Sequence, residues 1–306
     1  MKFVYFSGAI IALLITYVLL RPPQKELKIL TNPRVYSFYH GDDQDTYKIE
    51  VLVNQLEHYA VDETYINSVK IINDTLVFPV ELEHITTRDQ PYYYQEQAFY
   101  PVAFYIKTGV IHENQMVQIP NASLELSYTN GETIQLEIGE WNIRFLQTDE
   151  QDVTFHTLQA TYGSIDALDT VTGITIELVN RTTDILTIES VNLLSDLVQV
   201  DTANITETAC EGRITVEECL GHPYSFTIQP TNQKTAIVLQ KGQSKTLYFP
   251  LKYEYPIIFH RGAVEIIYQL HDNSRTFIID DFPFMNSTTF QPEYESQYVL
   301  YHHDSD

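Results

Sequence analysis

From about residue 28 onward, apolar positions recur every second residue, in short runs broken by Gly, Asn, Asp, Pro or Ser. A period of two marks strands with one buried and one wet face, and no stretch of the body carries a convincing helical period. Tyr47-Lys48-Ile49-Glu50-Val51-Leu52-Val53 reads as one such strand. Residues 123–138 predict the clearest hairpin. Leu124, Leu126 and Tyr128 alternate before Asn130-Gly131, and Ile134, Leu136 and Ile138 alternate after it. Asn-Gly suits a turn that needs positive φ, and the matched alternation fixes which residues face each other.

The pattern returns in the second half. Residues 263–268, a turn at 271–274 and residues 276–279 repeat strand, turn and strand, with Glu265 and Tyr268 standing where Glu125 and Tyr128 stood. Earlier, IEVLVN at 49–54 resembles IELVN at 176–180, and INSVKI at 66–71 resembles IESVNL at 188–193. The offsets change along the chain, as they do when loops are inserted between corresponding strands. Three matches in one order predict an internal duplication.

The expected fold is therefore all-β: two tandem immunoglobulin-like antiparallel β-sandwich domains, residues 27–148 and 149–285. A polar, acidic boundary at 147–152 separates them, and a tail at 286–306 carries one short strand at 298–301. The Cys and Trp arrangement of true immunoglobulin domains is missing, because the only tryptophan, Trp141, follows the hairpin. The likeness is one of architecture, and no family motif stands in the chain.

Residues 3–20 (FVYFSGAIIALLITYVLL) contain no charge and are closed by Arg21-Pro22-Pro23. As a helix this run rises roughly 27 Å, enough to cross a hydrocarbon core of about 30 Å. It predicts a single-pass transmembrane helix within an anchor at 1–23, with the lipid bilayer contacted through residues 3–20. Secretion after cleavage is the alternative, but Val18-Leu19-Leu20-Arg21 is a poor small-x-small cleavage site. Orientation rests on two opposed signals. Lys2 stands on one side against Arg21, Lys25 and Lys28 on the other, whereas a short basic start followed at once by an apolar run is how export signals begin. The reading favours the N-terminus inside and the body outside. Five Asn-x-Ser/Thr triplets, at Asn73, Asn121, Asn180, Asn204 and Asn286, accompany it.

Charge narrows the partners. The 306 residues carry 41 acidic against 18 basic side chains, a formal net charge of −23. Phosphate neutralisation needs clustered Lys and Arg, so no nucleic-acid partner is expected. Cys210 and Cys219, with eight residues between them, predict a disulfide closing one loop. Such a loop stabilises by about 2.5 kcal/mol in the chain-entropy view. Asp42, Asp43 and Asp45 beside Gly41 are weak calcium candidates, since their order does not fit an Asp-x-Asp-x-Asp-Gly loop. The closing His302-His303-Asp304 has metal-binding side chains but sits at a terminus. No nucleophile elbow, metalloprotease helix or phosphate loop is present, so neither an enzyme nor a cofactor is expected.

Twenty-two tyrosines remain, and a loop-like stretch at 91–100 concentrates four of them. Consecutive tyrosines cannot all face one core, so Tyr92, Tyr93, Tyr94 and Tyr100 are the candidate binding residues. The expected function is a non-enzymatic, membrane-tethered accessory protein presenting tandem sandwiches to a membrane or surface protein, such as a transporter or secretion component. A polysaccharide-binding module built on the same tyrosines is the alternative, and a hydrolase with a site between the domains comes last.

Overall fold

The Asn130-Gly131 turn leaves Gly131 at φ 91°, with its N–H donating to the Tyr128 carbonyl at 3.0 Å. It joins the two strands that the alternation predicted, in the register Leu124↔Leu136 and Leu126↔Ile134, and all six alternating apolar residues are buried. In this computed structural model of the chain, the described residues are 26–40, 46–108, 116–145, 152–165, 168–210, 212–213, 215–223, 237–254, 258–282 and 292–303. The predicted anchor at residues 3–20 and the Asp42, Asp43 and Asp45 cluster lie outside them. Among the described residues, no helix is long and apolar enough to cross a membrane.

The first half gives β1 (Leu27–Thr31), β2 (Arg34–His40), β3 (Thr46–Val53), β4 (Ile66–Ile72), β5 (Val77–Thr87), β6 (Tyr92–Tyr94), β7 (Gln97–Thr108), β8 (Met116–Tyr128) and β9 (Thr133–Phe145). The second gives β10 (Val153–Ile165), β11 (Leu168–Asn180), β12 (Leu186–Leu193), β13 (Val198–Val200), β14 (Gly212–Arg213), β15 (Ile237–Leu239), β16 (Ser244–Tyr253), β17 (Ile258–Leu270) and β18 (Asn273–Phe282). One five-residue helix, α1 (Val216–Leu220), precedes β15, and β19 (Val299–His303) ends the described chain. One hydrogen-bonded path runs β15-β12-β17-β2-β9-β8-β4-β5-β7-β3-β1-β19, and a second sheet runs β13-β16-β11-β10-β14.

The described residues are mostly strand, as alternation predicted, and the apolar faces gather into two main cores. One is drawn from strands of the first half other than β6 and centres on Tyr36, Phe38, Tyr47 and Trp141, whose ring contacts span 4.3–6.3 Å. The other is drawn from β10–β18, with Val35 of β2 joining it. Each fully buried aliphatic or aromatic side chain contributes roughly 1.5–3 kcal/mol, which is what selects the register of every strand.

The predicted duplication reappears in the pairing. On β4 and β8 the partners are Ile66↔Tyr128, a bulge at Asn67, Ser68↔Ser127, Val69↔Leu126 and Lys70↔Glu125. On β12 and β17 they are Ile188↔Tyr268, a bulge at Glu189, Ser190↔Ile267, Val191↔Ile266 and Asn192↔Glu265. Register and bulge coincide position for position. Asn54 and Asn180, the last residues of the other matched pair, also act alike. Asn54 binds Lys28 N and Glu26 O, and Asn180 Nδ2 binds the carbonyls of Leu239 and Gln240.

Two expectations need correction. The sheets are not wholly antiparallel, because β2 runs parallel to both its neighbours, β9 and β17. Alternation reports which face is buried, not direction, and both partners are remote in sequence. Gly139, at φ 104°, allows the approach, since a Cβ there would overlap the Arg34 backbone. The second turn is also tighter than residues 271–274. Leu270 pairs directly with Asn273, leaving only His271 and Asp272, with His271 left-handed at φ 57°. The strand expected at 298–301 is present as β19, and it pairs antiparallel with β1.

Candidate functional site

The tyrosine-rich stretch is a hairpin, not the loop its sequence suggested. β6 pairs with the start of β7 as Tyr92↔Phe99, Tyr93↔Ala98 and Tyr94↔Gln97. The two turn residues, Gln95 and Glu96, stand at φ 48° and 65°. A left-handed pair is what a two-residue hairpin turn requires, but without Gly or Asn it costs about 1–2 kcal/mol per residue. Neither residue signals a turn, so the sequence hid it.

Alternation then divides the four candidate tyrosines. Tyr92 and Tyr94 face a small core of Leu30, Leu52, Phe99 and Tyr298. Tyr94 packs on Phe99 and Tyr298 at centroid distances of 6.2 and 5.9 Å, and Tyr92 meets Tyr298 edge-on at 6.1 Å. The Tyr92 hydroxyl donates to Glu295 at 3.3 Å. Tyr93 points the other way and is 66% exposed, the highest exposure among the large apolar side chains described. Tyr100 shares the Tyr93 face, two residues beyond Ala98, and is half-buried. Inward rings thus fix the hairpin and outward rings offer a surface.

A second constellation joins residues that no local pattern could connect. Tyr59 follows β3 in a short 3₁₀ turn, Glu132 closes the β8–β9 turn and His303 ends β19. The Tyr59 hydroxyl donates to Glu132 Oε2 and lies 2.7 Å from His303 Nε2. Asn130 Nδ2 donates to the same carboxylate at 2.6 Å. The Tyr59 and Asn130 hydrogen bonds hold the Glu132 carboxyl below its usual pKa, whereas burial, then the Glu132 contact, pushes the Tyr59 hydroxyl up to about 12. His58 Nδ1 accepts the Ala60 N–H, and burial, then the neighbouring His303, lowers its pKa. Both histidines stand beside a carboxylate, yet among the described residues no group of three or more His, Cys, Asp or Glu could hold a metal ion. The network ties the C-terminal strand to the first core. Its signal in the sequence was only the terminal His-His pair.

Cys210 and Cys219 form the predicted disulfide, with Cα atoms 5.7 Å apart. α1 carries Cys219 and begins at a capping box in which Thr215 and Glu218 satisfy each other's backbone N–H groups. The Cys210 carbonyl accepts hydrogen bonds from Thr161 and Thr175, so the bridge anchors this loop to β10 and β11.

No protein-family model matches the chain, and no curated protein matches it either. Among solved structures it is similar to a protein of unknown function from Porphyromonas gingivalis W83, at 13% identity over 82% of this chain and 97% of that one, with a TM-score of 0.22. It is also similar to the D00-D0 domain of intimin, at 10% identity over 84% and 100% of the two chains, with a TM-score of 0.20. A third is the C-terminal domain of the AgI/II polypeptide BspA from Streptococcus agalactiae, at 9% identity over 83% and 99%, with a TM-score of 0.22. TM-scores this low do not establish a common fold.

Proposed function

We propose that the chain is a non-enzymatic interaction protein, tethered to a membrane by residues 3–20, with its body outside. Two immunoglobulin-like sandwiches at 27–148 and 149–285 present the β6–β7 hairpin to a protein partner at the outer membrane surface. One observation carries this reading: Tyr93 stands 66% exposed on a hairpin whose neighbouring rings, Tyr92 and Tyr94, are packed against a small core. A rigid aromatic contributes contact area at little entropic cost, and interface aromatics often account for more than about 2 kcal/mol each.

Tyr93→Ser in the detergent-solubilised full chain should abolish co-purification of the partner and leave the melting temperature unchanged. Tyr94→Ser should instead destabilise, by about 3 kcal/mol, because it empties a packed site. Retained binding by Tyr93→Ser removes the hairpin from consideration. Retention on isolated polysaccharide, with no protein partner, replaces this reading by the carbohydrate one.

A further inference from the structure

The first core is incompletely covered at one place. β5 starts as a partner of β4, in the register Val69↔Val80 to Ile72↔Val77, then leaves it to pair with β7 from Val80 to Thr87. Beyond Val69 the two strands diverge. Among the described residues, 66–68 of β4 pair only with β8 and 81–87 of β5 only with β7. A groove of about 470 Å³ opens between the diverging edges, lined by β4 from Ile66 to Val69, by β5 from Val80 to Glu83, and by Glu63.

The groove has two chemically distinct levels. At its base Ile66, Val80 and Leu82 pack on the first core yet stay only half-buried, since among the described residues no strand pairs into the gap beside them. At its rim stand the exposed carboxylates of Glu63, Glu81 and Glu83. Lys107 balances Glu83 at 2.9 Å. Glu63 Oε2 accepts the backbone N–H of Ile85 at 3.2 Å, taking the place that a neighbouring strand's carbonyl would occupy. A side chain thus already substitutes for a missing strand at one end of the gap.

We infer that this groove is a strand-addition site for an extended segment of another protein in which apolar and basic residues alternate. Main-chain hydrogen bonds to an open edge supply affinity, and alternate side chains supply specificity. Apolar residues of the segment fall on Ile66, Val80 and Leu82, and its Lys or Arg residues meet the glutamate rim. The charge complement is selective, because an acidic segment would meet both this rim and a chain of net charge −23. The site is separate from the Tyr93 face and stands or falls independently of it.

The test is fluorescence anisotropy of a capped peptide of alternating Lys and Val titrated with the detergent-solubilised full chain. Binding is expected, and Glu81→Lys should weaken it on the order of tenfold or more by reversing a rim charge. Glu81 is exposed, so circular dichroism and melting of the variant should match the parent. The same peptide N-methylated at alternate residues should not bind, since its strand edge is blocked. Equal binding of the N-methylated peptide would reduce the interaction to charge adhesion and overturn the proposal. So would no binding of the parent peptide, or no effect of Glu81→Lys.

Discussion

His58 illustrates how one side chain ties stability to pH. Its Nδ1 accepts the Ala60 N–H at 3.2 Å, so that nitrogen must be unprotonated in the folded protein. Burial and then the charge of His303 lower its pKa below 6.5, against an opposing pull from Glu132. A lowered folded pKa means that the unfolded chain binds the proton more readily. The stabilisation is therefore complete above about pH 6.5 and is lost as pH falls through the folded value. Glu132, also lowered, behaves the same way further into acid, from its ordinary value near 4.5 downward. Melting temperature should thus fall as pH drops from 7.5 to 5. His58→Asn keeps an acceptor for Ala60 without titrating, and should flatten that slope while leaving the part below pH 4.5 that belongs to Glu132. An unchanged slope in His58→Asn would place the titration elsewhere.

Strands and hairpins were legible where pairing is local and the turn carries a sequence signal. Alternation and Asn-Gly fixed the β8–β9 hairpin to the residue, and three short matches anticipated a duplication that pairing repeats down to the bulges at Asn67 and Glu189. What stayed hidden was non-local or locally unsignalled. The parallel seat of β2, the migration of β5 from β4 to β7 and the docking of β19 on β1 depend on partners far away in sequence. At the candidate site, sequence singled out four tyrosines. It could not assign them to faces, because Gln95-Glu96 gave no hint of the turn that sets the register. The Tyr59, Glu132 and His303 network spans 244 residues and was illegible for the same reason. β19 matters for stability despite its place near the end. Tyr298 caps the small core beside it, Tyr301 Oη accepts the Glu137 N–H at 2.7 Å, and the strand covers the β1 edge. A chain ended after Gln297 should lose about 3 kcal/mol or more, and should self-associate through the bared edge. Melting and sedimentation velocity check this; a monomer with parental melting would show that β19 is dispensable.

The two main cores are not independent, because β2 serves both. Val35 enters the core of β10–β18, whereas Tyr36 and Phe38, both on the opposite face, enter the core of β1–β9. Beside this strand a buried polar junction spans the same divide. Glu140 of β9 accepts hydrogen bonds from Ser195 Oγ at 2.7 Å, Asn142 Nδ2 at 2.6 Å and Asp196 N at 3.2 Å. Nearby, Arg144 pairs with Glu265 of β17 at 2.7 Å. Covalent linkage alone would let the halves melt separately, but a shared strand makes either half costly to unfold while the other stays folded. Calorimetry of the full chain should accordingly give one transition, with calorimetric and van't Hoff enthalpies in agreement. Glu140→Ala removes a buried carboxylate that three donors share, of which Ser195 Oγ is buried and Asn142 Nδ2 keeps the Leu194 carbonyl at 3.0 Å. It should lower stability by about 3 kcal/mol or more, since unpaired buried donors cost roughly 1–3 kcal/mol each and surrounding groups relax only in part. Glu140→Gln retains one acceptor oxygen and should lose less. If Glu140→Ala melts like the parent, or if the parent already melts in two steps, the junction does not couple the cores, and β2 belongs energetically to one of them alone.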